Sequence, residues 1–83
     1  MERYLIESPH TAEDCERIVQ QVAAAGYLHN FDWGCADGVH IGWAVIETDN
    51  PDHARQIVPW SVRDLARIVK LIKFDEKDYP HEH

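Results

Sequence analysis

The apolar residues of this chain switch between a two-residue period and a helical one. The order of those switches limits the fold more than any other feature. Residues 3–8, RYLIES, alternate, with Tyr4 and Ile6 on one face and Leu5 on the other. A strand that is apolar on both faces belongs inside a sheet. Pro9-His10 ends it. Thr11 then stands as a helix N-cap, with Asp14 three residues on in a variant capping box and Glu13 suited to the helix dipole. Cys15, Ile18, Val19, Val22 and Ala23 recur at helical spacing, and Gly26 is the expected C-cap.

Residues 29–35, HNFDWGC, alternate again, with His29, Phe31, Trp33 and Cys35 on one face. Asp37-Gly38 is a tight-turn signal. Residues 39–48, VHIGWAVIET, form the longest strand, apolar on both faces. Asn50-Pro51 reads as an N-cap followed by Pro at the first helical position. A helix over 51–58 presents Ala54, Ile57 and Val58, and Pro59 ends it. Residues 60–64, WSVRD, are a loop or a turn of helix. Residues 65–74, LARIVKLIKF, are expected as the last strand, although Leu65, Ile68, Val69 and Ile72 would also suit a helix face.

The order is strand, helix, strand, strand, helix, strand. It predicts an α+β fold, the split βαββαβ or ferredoxin-like arrangement. The four-stranded antiparallel sheet has order 4-1-3-2 and carries both helices on one face. One domain covers residues 1–75, and 76–83 form a polar tail. The uncovered face carries too much apolar surface to stay wet. A homodimer with its sheets face to face is the simplest remedy for so short a chain.

Charge narrows the partners. Eight Lys and Arg against fifteen Asp and Glu leave a net charge of −7 over 83 residues, with histidines neutral. Such a balance speaks against nucleic acid and favours cations, metal ions included. No signal sequence and no membrane-spanning run is evident, so a cytoplasmic chain with free thiols is expected.

The topology gathers chemistry at one end of the sheet. His10 follows the first strand and Cys15 lies one turn into the first helix. Cys35 and His40 flank the Asp37-Gly38 turn. Arg63 and Asp64 precede the last strand, most simply as a local ion pair. With the turn at 37–38, Ala36 faces Val39 and Cys35 faces His40, as cross-strand neighbours on one side of the sheet. On that side Trp33 faces Gly42 and Phe31 faces Ala44. The large rings opposite small residues could floor a pocket, with Trp43 nearby.

His10, Cys15, Cys35 and His40 make a Cys2His2 set suited to nickel, zinc or copper. No zinc-finger spacing is present, so the set depends on convergence in space. Cys15 lies under the helix, and it joins only if Cys35 and His40 face the helices and not the dimer side. His29 is too far away. His53 reads as helix surface, and His81 and His83 belong to the tail. Two other readings stand beside metal binding. One is a small-molecule enzyme that uses Cys35, His40 or His10 as nucleophile or proton shuttle. The other is a non-catalytic sensing or interaction domain.

The segments RYLIESPHTAEDC, WGCADGVHIGW and VPWSVRDLARIVKLIKF resemble a group of short bacterial and archaeal proteins of the dimeric α/β-barrel superfamily, which is ferredoxin-like. The resemblance runs to about residue 75 and is most specific at P-H-x4-C and G-C-x2-G-x-H-x-G-W. It implies the fold and dimerisation. The superfamily includes a small nickel-binding group, muconolactone isomerase-like enzymes and cofactor-free monooxygenases. For the nickel-binding group, the positions here that could take a ligand role are His10, Cys35 and His40.

Overall fold

The structure, a computed structural model, describes residues 1–77. Six main elements follow one another: β1 (Glu2–Pro9), α1 (Cys15–Ala24), β2 (Phe31–Trp33), β3 (Ile41–Thr48), α2 (Pro51–Ile57) and β4 (Arg67–Leu71). The strands form one antiparallel sheet in the order β2-β3-β1-β4, which is 4-1-3-2 read from the β4 edge. The chain is therefore α+β with a four-stranded antiparallel sheet. His81 and His83 of the expected tail lie outside the described residues.

Alternation decides which side chains meet. In β1, Tyr4, Ile6 and Ser8 are buried while Arg3, Leu5, Glu7 and Pro9 are half-buried. The register carries that inner face across the sheet, setting Ile6 between Ala44 and Ile68, and Phe31 beyond Ala44. Ile18 and Val22 of α1 and Ala54 of α2 close over this face, and Val58, Val62 and Ala66 complete one core cluster. The other face carries Leu5, Ile41, Trp43, Val45, Val69 and Leu71, with Val45 exposed.

The helix starts behave as their residues require. Thr11 Oγ1 accepts the Asp14 N–H at 3.3 Å, and Asn50 Oδ1 accepts the Asp52 N–H at 2.8 Å ahead of Pro51. The first turn after Thr11 is a 3-10 turn, Ala12–Asp14, so α1 itself begins at Cys15.

Three expected strands are shorter than their patterns. The strand expected at 29–35 is paired only over Phe31–Trp33, between 3-10 turns at Leu28–Asn30 and Cys35–Asp37. The strand expected at 39–48 begins at Ile41. The strand expected at 65–74 is Arg67–Leu71, because Trp60–Leu65 wind into 3-10 turns first. In each case the alternating pattern outruns the backbone partner that could pair with it, and a ladder needs that partner.

Gly42 tests the packing of the inner face. A Cβ there would lie 2.8 Å from Trp33 Cζ3, 3.0 Å from its Cε3 and 3.2 Å from Phe31 Cδ2. Phe31 and Trp33 are themselves stacked at 5.4 Å. Neither ring can withdraw without moving the other. Gly42→Ala should lower stability by about 1–3 kcal/mol, as overpacking does. Urea unfolding followed by circular dichroism measures this, and an unchanged midpoint would contradict the packing described.

Candidate metal centre

β1 delivers the first donor. Its inner face runs Tyr4, Ile6, Ser8, and the next residue in that phase is His10. The His10 N–H donates to the His40 carbonyl oxygen at 3.0 Å, which adds one rung beyond the paired Pro9 and Ile41. That rung sets the two imidazoles side by side, with ring centroids 6.0 Å apart. His10 is buried, at 8% exposure, although it is ionisable. Cys15 opens α1 where the helix crosses the end of the sheet.

The β2–β3 connection delivers the other two, by a different route from the one expected. Cys35 and His40 are not a cross-strand pair. The paired strands end at Trp33 and Gly42, one further bond runs from the Gly34 N–H to the Ile41 carbonyl oxygen at 3.0 Å, and the chain then closes as a loop. The Val39 N–H donates to the Gly34 carbonyl oxygen at 3.0 Å and the Gly38 N–H to that of Cys35 at 3.1 Å. Gly38 takes the left-handed conformation, φ 77°, as the C-cap of the Cys35–Asp37 turn. Gly34 leaves no room for a side chain, since a Cβ there would lie 2.6 Å from the Val39 carbonyl oxygen. The loop turns Cys35 and His40 inward, toward the helix side of the sheet. This brings Cys15 into the same group.

The four side chains converge. One donor atom from each of His10, Cys15, Cys35 and His40 lies within 4.8 Å of every other. Cys35 sits at the centre, with its Sγ 2.6 Å from Cys15 Sγ and 3.3 Å from His10 Nε2. Both cysteines are free thiols and half-buried. Among the buried polar atoms without a hydrogen-bond partner are His10 Nδ1 and His40 Nδ1. Buried polar atoms are normally satisfied. His10 meets the thiols through Nε2, 3.3 Å from Cys35 Sγ, and both imidazoles have a nitrogen within reach of an ion held by the two sulfurs. Tetrahedral zinc takes bonds of about 2.3 Å to sulfur and 2.0–2.1 Å to nitrogen. Four donors already this close need only small rotations to meet it.

Electrostatics agree with donors that stay uncharged without a cation. Burial lowers the His10 pKa below the ordinary 6.5; the nearby Ser8 backbone opposes this and the charge of His40 adds to it. Burial, together with the hydrogen bond and charge of Cys15, pushes the Cys35 thiol from 9.0 up to about 11. Two consequences can be measured. In the metal-free chain, Cys35 favours the fold below pH 9.0, and that contribution is lost as pH rises from 9.0 through about 11. His10 acts at the other end, favouring the fold above pH 6.5 and losing that effect as pH falls through its lowered value. The urea midpoint of the metal-free chain should therefore drop on both sides. In addition, the neutral Cys35 thiol must lose a proton to ligate. Zinc titrated calorimetrically at pH 7.5 in buffers of different ionisation enthalpy should release at least one proton per ion. Zero release would contradict thiolate ligation.

The remaining residues fall into two groups. Phe31 and Trp33 lie on the inner face directly below the cluster, and the Trp33 ring meets His10 edge-on at 6.1 Å. Trp43 is on the opposite face, where its indole N–H donates to Glu7 Oε1 at 3.3 Å, so it floors no pocket at the cluster. Arg63 holds the end of α2, donating to the carbonyl oxygens of Val58 at 2.9 Å and Gln56 at 3.2 Å. Asp64 is exposed. Neither joins the four donors. His29 is exposed in the Leu28–Asn30 turn, and His53 Nδ1 lies 3.4 Å from Thr48 Oγ1 on the exposed side of α2.

One residue went unnoticed in the sequence. Ser8 is only 2% exposed, and its Oγ has no partner, like Nε1 of Trp33. Both stand one row below the histidines. The available signal was phase, since Ser8 is the polar residue in the inward series Tyr4, Ile6, Ser8, His10. An open cleft at the far end of the sheet is lined by Tyr27, Asn30, Ile46, Thr48, His53 and Ile57, among others. It shares no residue with the cluster and gathers no comparable set of donors. Comparison with family models, with curated proteins and with solved structures found no match to this chain.

Proposed function

We propose that this protein binds one transition-metal ion (nickel, zinc or copper) through His10, Cys15, Cys35 and His40. The observation that carries the reading is the mutual approach of the four donor atoms, within 4.8 Å, from β1, α1 and the β2–β3 loop. The two pairs, His10 with Cys15 and Cys35 with His40, lie 20 or more residues apart in sequence, and the fold brings all four donors together. Two thiolates and two imidazoles would leave the bound ion with no net charge from a divalent metal. That is the condition under which a charge is tolerated in a half-buried site. A nucleophilic role for Cys35 has less support, since a thiol held near pKa 11 is scarcely ionised at neutral pH.

The wider reading is a ferredoxin-like domain that pairs sheet to sheet as a dimeric α/β barrel, akin to the small nickel-binding group of that superfamily. It is supported by the strand order and by the half-buried Leu5, Trp43, Val69 and Leu71 around exposed Val45 on the outer face. Native mass spectrometry of protein purified without a histidine tag tests both parts. One nickel, zinc or copper ion per chain is expected on a dimeric species. Failure to take up any of the three would end the metal reading. A monomer carrying its ion would end only the dimer. Val45→Lys should convert the dimer to monomer with the metal retained.

A further inference from the structure

We infer that Cys15 and Cys35 form a reversible intrachain disulfide that expels the metal ion, so that the site releases its ion under peroxide. The inference rests on the metal-binding reading above and adds a modification site to it.

The warrant is the spacing of the two sulfurs. They stand 2.6 Å apart, in contact, with both thiols free and half-buried. A disulfide requires about 2.05 Å. Two sulfurs on one tetrahedral ion, with bonds of about 2.3 Å, stand about 3.8 Å apart. Both states draw on the same two neighbouring sulfurs. The two states exclude each other, because the disulfide consumes both anionic ligands. Two neutral imidazoles, His10 and His40, would remain, and they form too weak a set to hold the ion. Cys15 begins a helix and Cys35 lies in a short loop closed by Gly38, so the contact joins two separate elements.

The oxidant is a peroxide, and the step balances. One metal-bound thiolate attacks an oxygen of hydrogen peroxide. The O–O bond breaks, hydroxide leaves, and a sulfenic acid forms. The second thiolate attacks that sulfur. The S–S bond forms, the S–O bond breaks, and a second hydroxide leaves. Two protons from solvent convert both hydroxides to water. The two cysteines have lost two electrons, the peroxide has gained two, and the divalent ion departs unreduced. A dithiol such as dithiothreitol reverses the step by exchange.

The test uses the whole chain, reduced and loaded with zinc. Hydrogen peroxide is added in steps at pH 7.5, and released zinc is read with a chromogenic indicator. Samples are denatured, alkylated with iodoacetamide and weighed intact. One zinc per chain should appear together with a mass two units lower and no alkylation, and dithiothreitol with added zinc should restore the starting state. Peptide mapping should place the bridge between Cys15 and Cys35. Zinc retained after peroxide, or zinc lost with sulfinic acids or interchain bridges instead, would overturn the inference while leaving metal binding intact. If the reduced chain takes up none of zinc, nickel and copper, metal binding fails on its own. The mass measurement on that metal-free chain then decides the disulfide separately. Cys15→Ser should show no mass loss of two units, and the wild-type map stands whether or not this variant folds.

Discussion

Cys35→Ser is expected to weaken zinc binding by at least about 100-fold, beyond the 10–100-fold changes typical of residues that only support a ligand. Cys35 touches both Cys15 Sγ and His10 Nε2, so it is the hub of the four donors. Serine keeps the shape but offers a neutral hydroxyl in place of a soft anion, and one of the two charges that offset the ion is lost. The loop that carries residue 35 is closed by backbone bonds at Gly34, Gly38 and Val39, so the fold should survive the exchange. Competition against a chromogenic chelator gives the affinity. His29→Ala and His53→Ala serve as controls and should bind as the parent does, since both residues lie away from the cluster. A Cys35→Ser chain that binds zinc within a few-fold of the parent would remove Cys35 from the site.

Ile6→Ala should come close to unfolding the metal-free chain. Ile6 is fully buried, at 0% exposure, in the centre of the sheet between Ala44 and Ile68. Truncating such a residue costs about 2–5 kcal/mol, from lost transfer energy and the cavity left behind. A domain of this length has only about 4–12 kcal/mol in total. Zinc that binds the folded chain alone should offset the loss. At a thousand times its dissociation constant an ion contributes about 4 kcal/mol. Circular dichroism in urea, with and without zinc, should therefore show a collapsed midpoint that the metal restores. A variant whose midpoint ignores zinc would mean that the ion does not bind the native fold preferentially. That outcome would count against a site assembled from β1, α1 and the β2–β3 loop.

Much of this architecture was legible from residue pattern, because local chemistry dictates it. Thr11 and Asn50 cap where their side chains can reach a backbone N–H. Gly26 follows α1, its N–H donating to the Ala23 carbonyl oxygen at 3.0 Å. The facing of Trp33 with Gly42, and of Phe31 with Ala44, follows from matching the inner faces of two alternating segments. Strand lengths were less legible. Residues 29, 30, 34 and 35 continue the alternation of β2, but a strand exists only where a neighbour supplies hydrogen bonds, and the sequence of one segment does not state that. The loop over 34–40 shows the same limit. Asp37-Gly38 suggested a tight hairpin, yet the Cys35–Asp37 turn and the absence of room at Gly34 give a wider closure.

The candidate site divides in the same way. The sequence by itself determined the donor types and the end of the fold where they gather, because a connection after β1, the start of α1 and the β2–β3 turn must lie at one end of such a sheet. The structure adds that Ser8 and His10 continue the inward phase of β1. Only the tertiary structure decided the side. Cys35 and His40 turn toward α1, which admits Cys15, and Trp43 falls on the outer face, which excludes it from the cluster. The physical reason is that alternation fixes which residues share a face but leaves open which face a helix will cover. That choice belongs to the packing of Ile18 and Val22 onto Tyr4, Ile6 and Phe31, contacts between segments that no single stretch of the chain contains.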